Sequence, residues 1–137
     1  MTRSMPLLFV LLLVGCGDRL AAVSGTVTLD GKPLASGPEL SGTVQFIPEG
    51  GGGTPAIGYL DASGRYQLAS GSQSGIQPGK YAVTIAASKI IPAAIPGEAA
   101  GGRPATPRKY ADPRQSELQA DVVPGNNTFN FALESTP

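Results

Sequence analysis

The chain has 137 residues, with 10 basic and 10 acidic side chains, no histidine, no tryptophan and one cysteine. Without histidine there is no Ser-His-Asp or Cys-His nucleophile system and no imidazole metal ligand, and one cysteine allows no intrachain disulfide, thiolate zinc cluster or CxxC redox pair. A net charge of zero leaves no electrostatic footprint for nucleic acid, and the length suits one domain, in which 19 glycines and 13 prolines require order to be argued from pattern.

Residues 1–15 read as a signal peptide rather than as part of the fold. Arg3 is the only charge ahead of an apolar run from Met5 to Val14, interrupted only by Pro6. Such a run is too short for a helix of ~20 residues crossing a bilayer and suits the h-region of a secretory signal. It ends in Leu13-Val14-Gly15-Cys16, which resembles the bacterial lipobox. The resemblance implies diacylglycerol on the Cys16 sulfur, cleavage before it, and Cys16 as the new N-terminus. Two or more acyl chains anchor a protein stably, each buried CH₂ contributing about 0.8 kcal/mol. The expected partner is thus the membrane, through lipid on Cys16, with residues 16–21 as a short tether. Asp18 stands two residues after the cysteine rather than directly after it, so the choice between inner and outer membrane stays open.

From there on, period-two alternation recurs and no helical periodicity does. Val23, Gly25, Val27 and Leu29 share one face of a first strand, and Asp30-Gly31 ends it with residues that tolerate positive φ. Val44 and Phe46 mark a second strand, ended by Pro48, and Gly50–Gly53 form a loop. A third strand carries Ile57 and Tyr59, and Asp61-Ala62-Ser63-Gly64 turns it into a fourth with Tyr66 and Leu68. Pro78-Gly79 has type II turn chemistry and leads into Tyr81, Val83 and Ile85. A connection over about 88–115 then carries Pro92, Pro96, Pro104, Pro107 and Pro113 and is expected to be mobile in its middle. Leu118, Ala120 and Val122 mark a sixth strand, and Pro124-Gly125-Asn126-Asn127 turns it into a seventh with Phe129, Phe131 and Leu133. The expectation is an all-β fold, an antiparallel β-sandwich of about seven strands (transthyretin-like or Ig-like), as a single domain over 22–134.

Several segments together resemble the carboxypeptidase regulatory-like, or transthyretin-like, β-sandwich domains. They are Val23-Ser24-Gly25-Thr26-Val27 with Asp30-Gly31-Lys32-Pro33-Leu34, then Gly42 through Pro48, Asp61 through Tyr66, and Ile76 through Tyr81. The tail from Lys109-Tyr110-Ala111-Asp112-Pro113 to Gly125-Asn126-Asn127-Thr128-Phe129 is similar to small planctomycete-type bacterial lipoproteins. The resemblance spans nearly all of 22–134. It implies an accessory, binding or scaffolding module without catalytic residues, and the insert Ser88–Pro107 departs from it.

The search for chemistry yields few residues. Gly79-Lys80 does not complete a phosphate loop, because Ser74 and Tyr81 stand where glycine and Ser/Thr belong. Asp30, Asp61 and Asp112 flank turns, where an Asx side chain bonds the backbone two residues on; calcium binding is the alternative, without EF-hand spacing to support it. Asn126-Asn127-Thr128 matches a glycosylation sequon by chance. The one basic cluster is Arg103, Arg108, Lys109 and Arg114, with Tyr110 among them. It is read either as a solvated loop whose Tyr110 packs back on the sandwich or as a site for an anionic glycan or protein. Ile90, Ile91 and Ile95 are read as covering a sheet edge, at least two of them, with partner docking as the alternative. No cofactor, metal or nucleic acid is expected. The function read from the sequence is a non-enzymatic, lipid-anchored module of the bacterial cell envelope, structural or interacting; the alternative is a surface lipoprotein binding a glycan or peptide through the 88–115 loop.

Overall fold

The computed structural model describes residues 19–135. The signal segment, Leu13, Val14, Gly15 and Cys16 lie outside the described residues. In chain order the strands are β1 (Ala22–Leu29), β2 (Lys32–Pro33), β3 (Leu40–Pro48), β4 (Ala56–Tyr59), β5 (Arg65–Gln67), β6 (Ala69–Ser70), β7 (Gln73–Ser74), β8 (Gly79–Ile91), β9 (Gly101–Pro104), β10 (Leu118–Val122), β11 (Asn126–Thr128) and β12 (Phe131–Leu133). A single 3-10 turn, Arg108–Ala111, is the one helical element among the described residues.

The architecture is the β-sandwich that the alternation predicts. One sheet is built on β1, which pairs with β5 and β2 along one edge and with β11 and β12 along the other. The second sheet runs β10-β8-β3-β4-β6-β7, with β9 added to the far half of β8. Asp30 and Gly31 take φ of 51° and 80°, the paired positive values of a tight hairpin turn, and join β1 to β2. All pairings between the named strands but two are antiparallel; β11 and β12 run parallel to β1. Topology forces this, because β10 ends beside Gly79, at the pole where β1 begins. A chain turning there can only enter the first sheet heading the same way as β1.

Val23 and Val27 of β1, Val44 and Phe46 of β3, Val83 and Ile85 of β8, and Val122 and Leu133 fill the space between the sheets, all nearly inaccessible to water. Phe46 sits at the centre, its ring 5.9 Å from Tyr81, 5.9 Å from Phe129, 6.2 Å from Phe131 and 6.4 Å from Tyr66. Tilted and edge-on aromatic pairs at this spacing add to the area they bury.

Three details differ from the sequence reading. In β4 the inward positions are Ala56 and Gly58, followed by Leu60, so Ile57 and Tyr59 face outward. The reason lies at Gly58, where a Cβ would come within 2.8 Å of the Gln67 carbonyl oxygen. The final strand is interrupted at Phe129-Asn130, and Asn126-Asn127 belong to β11 rather than to the turn before it. Finally, the stretch expected as one proline-rich connection over 88–115 is partly regular. β8 runs on to Ile91 because β-branched Ile90 and Ile91 favour extended backbone. Ser88–Ile91 pair with Gly101–Pro104 of β9 in a ribbon whose base, Ser88 and Lys89, is still paired with β3 on the other side. Pro92 and Pro96, which cannot donate to a ladder, fall in its tip at 92–100.

Candidate functional site

The ribbon prolongs the second sheet past its core. Ser88 and Lys89 still face Ser41 and Leu40 of β3, and the Ile90 amide donates to the Glu39 carbonyl at 2.8 Å. Only the arm beyond them, with its tip at 92–100, leaves β3 behind. Every residue from Ser88 to Pro104 is exposed, including Ile90, Ile91 and Ile95 at 38%, 43% and 58%. None of the three isoleucines covers a sheet edge. The arm lies at the pole opposite the start of β1. Ala21 donates to the Ile76 carbonyl at 2.7 Å and accepts from the Ile76 amide at 2.9 Å, just ahead of β8. The thirteen residues of β8, at about 3.3 Å per residue, then carry the chain roughly 40 Å away.

The five residues of the basic cluster are spread over three neighbouring segments. Arg103 belongs to β9, Arg108, Lys109 and Tyr110 to the 3-10 turn, and Arg114 to the turn after it. Tyr110 is buried against the sandwich and its hydroxyl accepts from the Glu134 amide at 3.1 Å, so its ring offers no free face for a ligand. Lys109 Nζ lies 4.9 Å from the centre of that ring. The base of the arm is pinned by Ala105 donating to the Ala87 carbonyl at 2.8 Å and Ala87 donating to Thr106 Oγ1 at 3.2 Å. Ser116 Oγ donates to the Val83 carbonyl at 2.7 Å just beyond.

The turn aspartates do structural work. Asp61 Oδ1 accepts from the amide of Ser63 at 2.8 Å, its hydroxyl at 2.7 Å and the amide of Arg65 at 3.0 Å. Asp112 Oδ1 accepts from the Arg114 amide at 2.8 Å, and Asp30 Oδ1 from the Ser135 amide at 2.9 Å. The Ser63 hydroxyl, then the Arg65 and Ser63 amides, hold the Asp61 carboxyl below its ordinary range, and hydrogen bonds from Ser135 do the same for Asp30. Burial pushes the phenols of Tyr66 and Tyr81 up; they donate to the carbonyls of Phe129 at 2.6 Å and Gln77 at 2.7 Å. Among the described residues no three carboxylates or thiols gather as metal ligands.

Two concave surfaces stand out. A cleft of about 340 Å³ lies at the pole where β1 begins, between Leu20, Pro48, Glu49, Ile76, Pro78 and Lys80. A shallower groove of about 580 Å³ runs along the outer corner between β4 and β5, lined by Ser24, Tyr59, Asp61, Arg65, Tyr66 and Gln67. Tyr59 is 73% exposed there. Sequence reasoning missed it because an apolar residue in alternation is taken as inward. The signal available was the small pair Ala56 and Gly58 on the opposite face, the only face that a closely approaching strand tolerates.

No family model and no curated protein matches the chain. Among solved structures it is similar to one described as the dioxygenase domain of a novel dioxygenase carbohydrate-binding protein fusion from the cellulolytic bacterium Streptomyces sp. SirexAA-E. The likeness covers 90% of this chain and 84% of that one, at 18% identity and a TM-score of 0.40.

Proposed function

We propose that the protein is a non-enzymatic, lipid-anchored module of the bacterial cell envelope that engages a protein partner through the arm at 88–104. The observation that carries the reading is polarity. Ala21 is fixed to Ile76, and only five Cα–Cα steps separate it from Cys16. At about 3.6 Å per residue that tether reaches at most ~18 Å, so an acylated Cys16 holds one pole of the sandwich close to the bilayer. The arm leaves from the opposite pole with three exposed isoleucines and no aromatic residue. Exposed apolar side chains on a projecting ribbon suit a protein groove better than a glycan. The family resemblance to accessory and binding modules supports the same assignment.

Cells expressing the wild type and Cys16→Ala are labelled with palmitate and fractionated. Label on the wild type alone, in the membrane fraction, is the expected result; an unlabelled wild type refutes the anchor. A photo-crosslinking residue in place of Ile95 is expected to trap an envelope protein, and a crosslinker that traps nothing in intact cells refutes the role of the arm.

A further inference from the structure

The groove at the β4–β5 corner combines features that no part of the core needs. β4 is drawn against the 67–69 segment, with Ile57 paired to Ala69 and Gly58 against the Gln67 carbonyl, and Tyr59 and Gln67 line the same groove. Gln67 in turn lies opposite Ser24 on β1, and Arg65 opposite Thr26. Asp61 stands next to Arg65, its amide bonded to the Arg65 carbonyl at 2.8 Å. The outer surface therefore presents a row of Tyr59, Gln67 and Ser24 and a neighbouring row of Asp61 and Arg65. β5 and β1 lie about 4.8 Å apart in one sheet and β4 comes from the other, so the rows line a shallow, open platform at the corner with one aromatic ring at its rim.

The chemistry of the platform is selective. The Tyr59 ring is a large apolar face held in water. The three donors to Asp61 all use Oδ1, which leaves Oδ2 as an acceptor for hydroxyl groups. Arg65 and Gln67 are exposed and supply donors. Asp61 and Arg65 cancel in charge, so the platform favours no ion. A ligand that fits has one apolar C–H face for the ring and hydroxyls around its edge to donate to a carboxylate and accept from a guanidinium and an amide. We propose that this corner binds a neutral pyranose unit of an oligosaccharide, stacked on Tyr59 and hydrogen-bonded by Asp61, Arg65 and Gln67. The proposal rests on reading the domain as an interaction module and is independent of both the anchor and the arm.

The test uses the full chain, purified in a detergent without a sugar headgroup, and saturation-transfer NMR with cellohexaose, chitohexaose and, as an anionic control, oligogalacturonate. Ring protons of at least one neutral hexamer are expected to receive saturation. Tyr59→Ala is expected to weaken that binding about tenfold, the size of losing one stacked ring, while Tyr59→Phe keeps it. Tyr59 is exposed, so Tm stays unchanged in both variants and misfolding is separable from lost contact. Absence of transfer to either neutral sugar, transfer that survives Tyr59→Ala, or preference for the galacturonate overturns the proposal. If sugars fail while the crosslinker at Ile95 traps a protein, only the platform falls; if both fail, the interaction-module reading falls with it.

Discussion

Gly25 is where the fold is most sharply tested by a single methyl group. It faces inward from the middle of β1, opposite the break between β11 and β12. A Cβ there would run into the Phe129 carbonyl oxygen, lie 2.7 Å from the Phe129 carbonyl carbon and 3.1 Å from a ring carbon of Tyr66. The obstacle is backbone, and that backbone is fixed. The Phe129 amide donates to Ser24 at 3.0 Å, its carbonyl accepts the Tyr66 hydroxyl at 2.6 Å, and Asn130 Oδ1 accepts from the Thr26 amide at 2.9 Å. Gly25→Ala must push the last strand away from β1. Overpacking of this kind costs about 1–3 kcal/mol. Losing the buried Tyr66 hydrogen bond adds about 1 kcal/mol. With an unfolding entropy of about 2.1 cal/mol/K per residue over the 117 described residues, a total near 3 kcal/mol lowers Tm by about 12 °C. Calorimetry and urea unfolding measure it, with two controls. Gly31→Ala has open space but φ of +80° and is expected to cost about 1 kcal/mol. Gly101→Ala, open and without positive φ, is expected to stay within about 0.5 kcal/mol. A Gly25→Ala protein within that same margin would refute the parallel placement of the final strand.

Asn127 is buried in β11 and reaches back across the turn before it, where its amide donates to the Val123 carbonyl at 2.8 Å and its Oδ1 accepts from the Val123 amide at 3.0 Å. Asn127→Ala is expected to lose about 2 kcal/mol in urea unfolding. Asp30 and Asp61 have lowered carboxyl values, so the stability they lend is present above the ordinary unfolded value of about 3.9 and is lost as pH falls through the folded values. The urea midpoint is therefore expected to hold between pH 7 and 5 and drop below about pH 4, and Asp61→Asn, which keeps an acceptor for the turn, to soften that drop. Burial raises the phenols of Tyr66 and Tyr81, so the stability they lend is whole below about pH 10 and falls above it. A spectrophotometric titration in which Tyr66→Phe removes no late-titrating phenol contradicts this. Replacing the exposed arm tip at 92–100 with a short glycine turn is expected to change unfolding free energy by less than about 0.5 kcal/mol, as measured by urea unfolding.

Where a strand has one dry face and one wet face, the sequence carried its structure. Val23 and Val27, Val44 and Phe46, and Tyr81, Val83 and Ile85 alternate because each lies between two sheets, and the Asp30-Gly31 and Asp61–Gly64 turns follow from backbone chemistry that is local. β4 failed the same logic because its inward side chains are Ala56 and Gly58, too small to give a hydrophobic signal, while its large residues face water. The arm was illegible for a related reason. Neither of its faces is buried, so no alternation is imposed, and prolines in the tip gave the whole stretch the look of a loop. Partner choice is a third kind of information. That β12 lies parallel to β1, with Val27 opposite Phe131, depends on contacts more than a hundred residues apart, and no local pattern encodes it. The basic cluster shows the limit for sites: Tyr110 lies among those cations along the chain, and the fold spends its ring on the core.

The placement of the first strand ties the proposed roles together mechanically. β1 is the strand nearest the tether, the only partner of β12 among the described residues, and the neighbour of β5, whose outward residues Arg65 and Gln67 belong to the corner platform. β8 leaves the same pole, bears nine register pairs with β3 and five with β10, and ends in the arm. A pull between an acylated Cys16 and a partner on the arm would pass from Ala21 to Ile76 and then along β8. The ladders on both sides of β8 would be loaded lengthwise, sharing the force over many hydrogen bonds, while the antiparallel clamp at Ala21–Ile76 takes it on two. The clamp is thus the weakest link on that path. Ile76 is buried at 2% exposure, so its side chain adds packing where the hydrogen bonds are fewest. Ile76→Ala is expected to cost about 2–4 kcal/mol of stability. It is also expected to make the end of β1 the first segment to open in hydrogen exchange. Exchange that begins instead in β8 would place the weak point elsewhere and remove the reason for a buried isoleucine at that position.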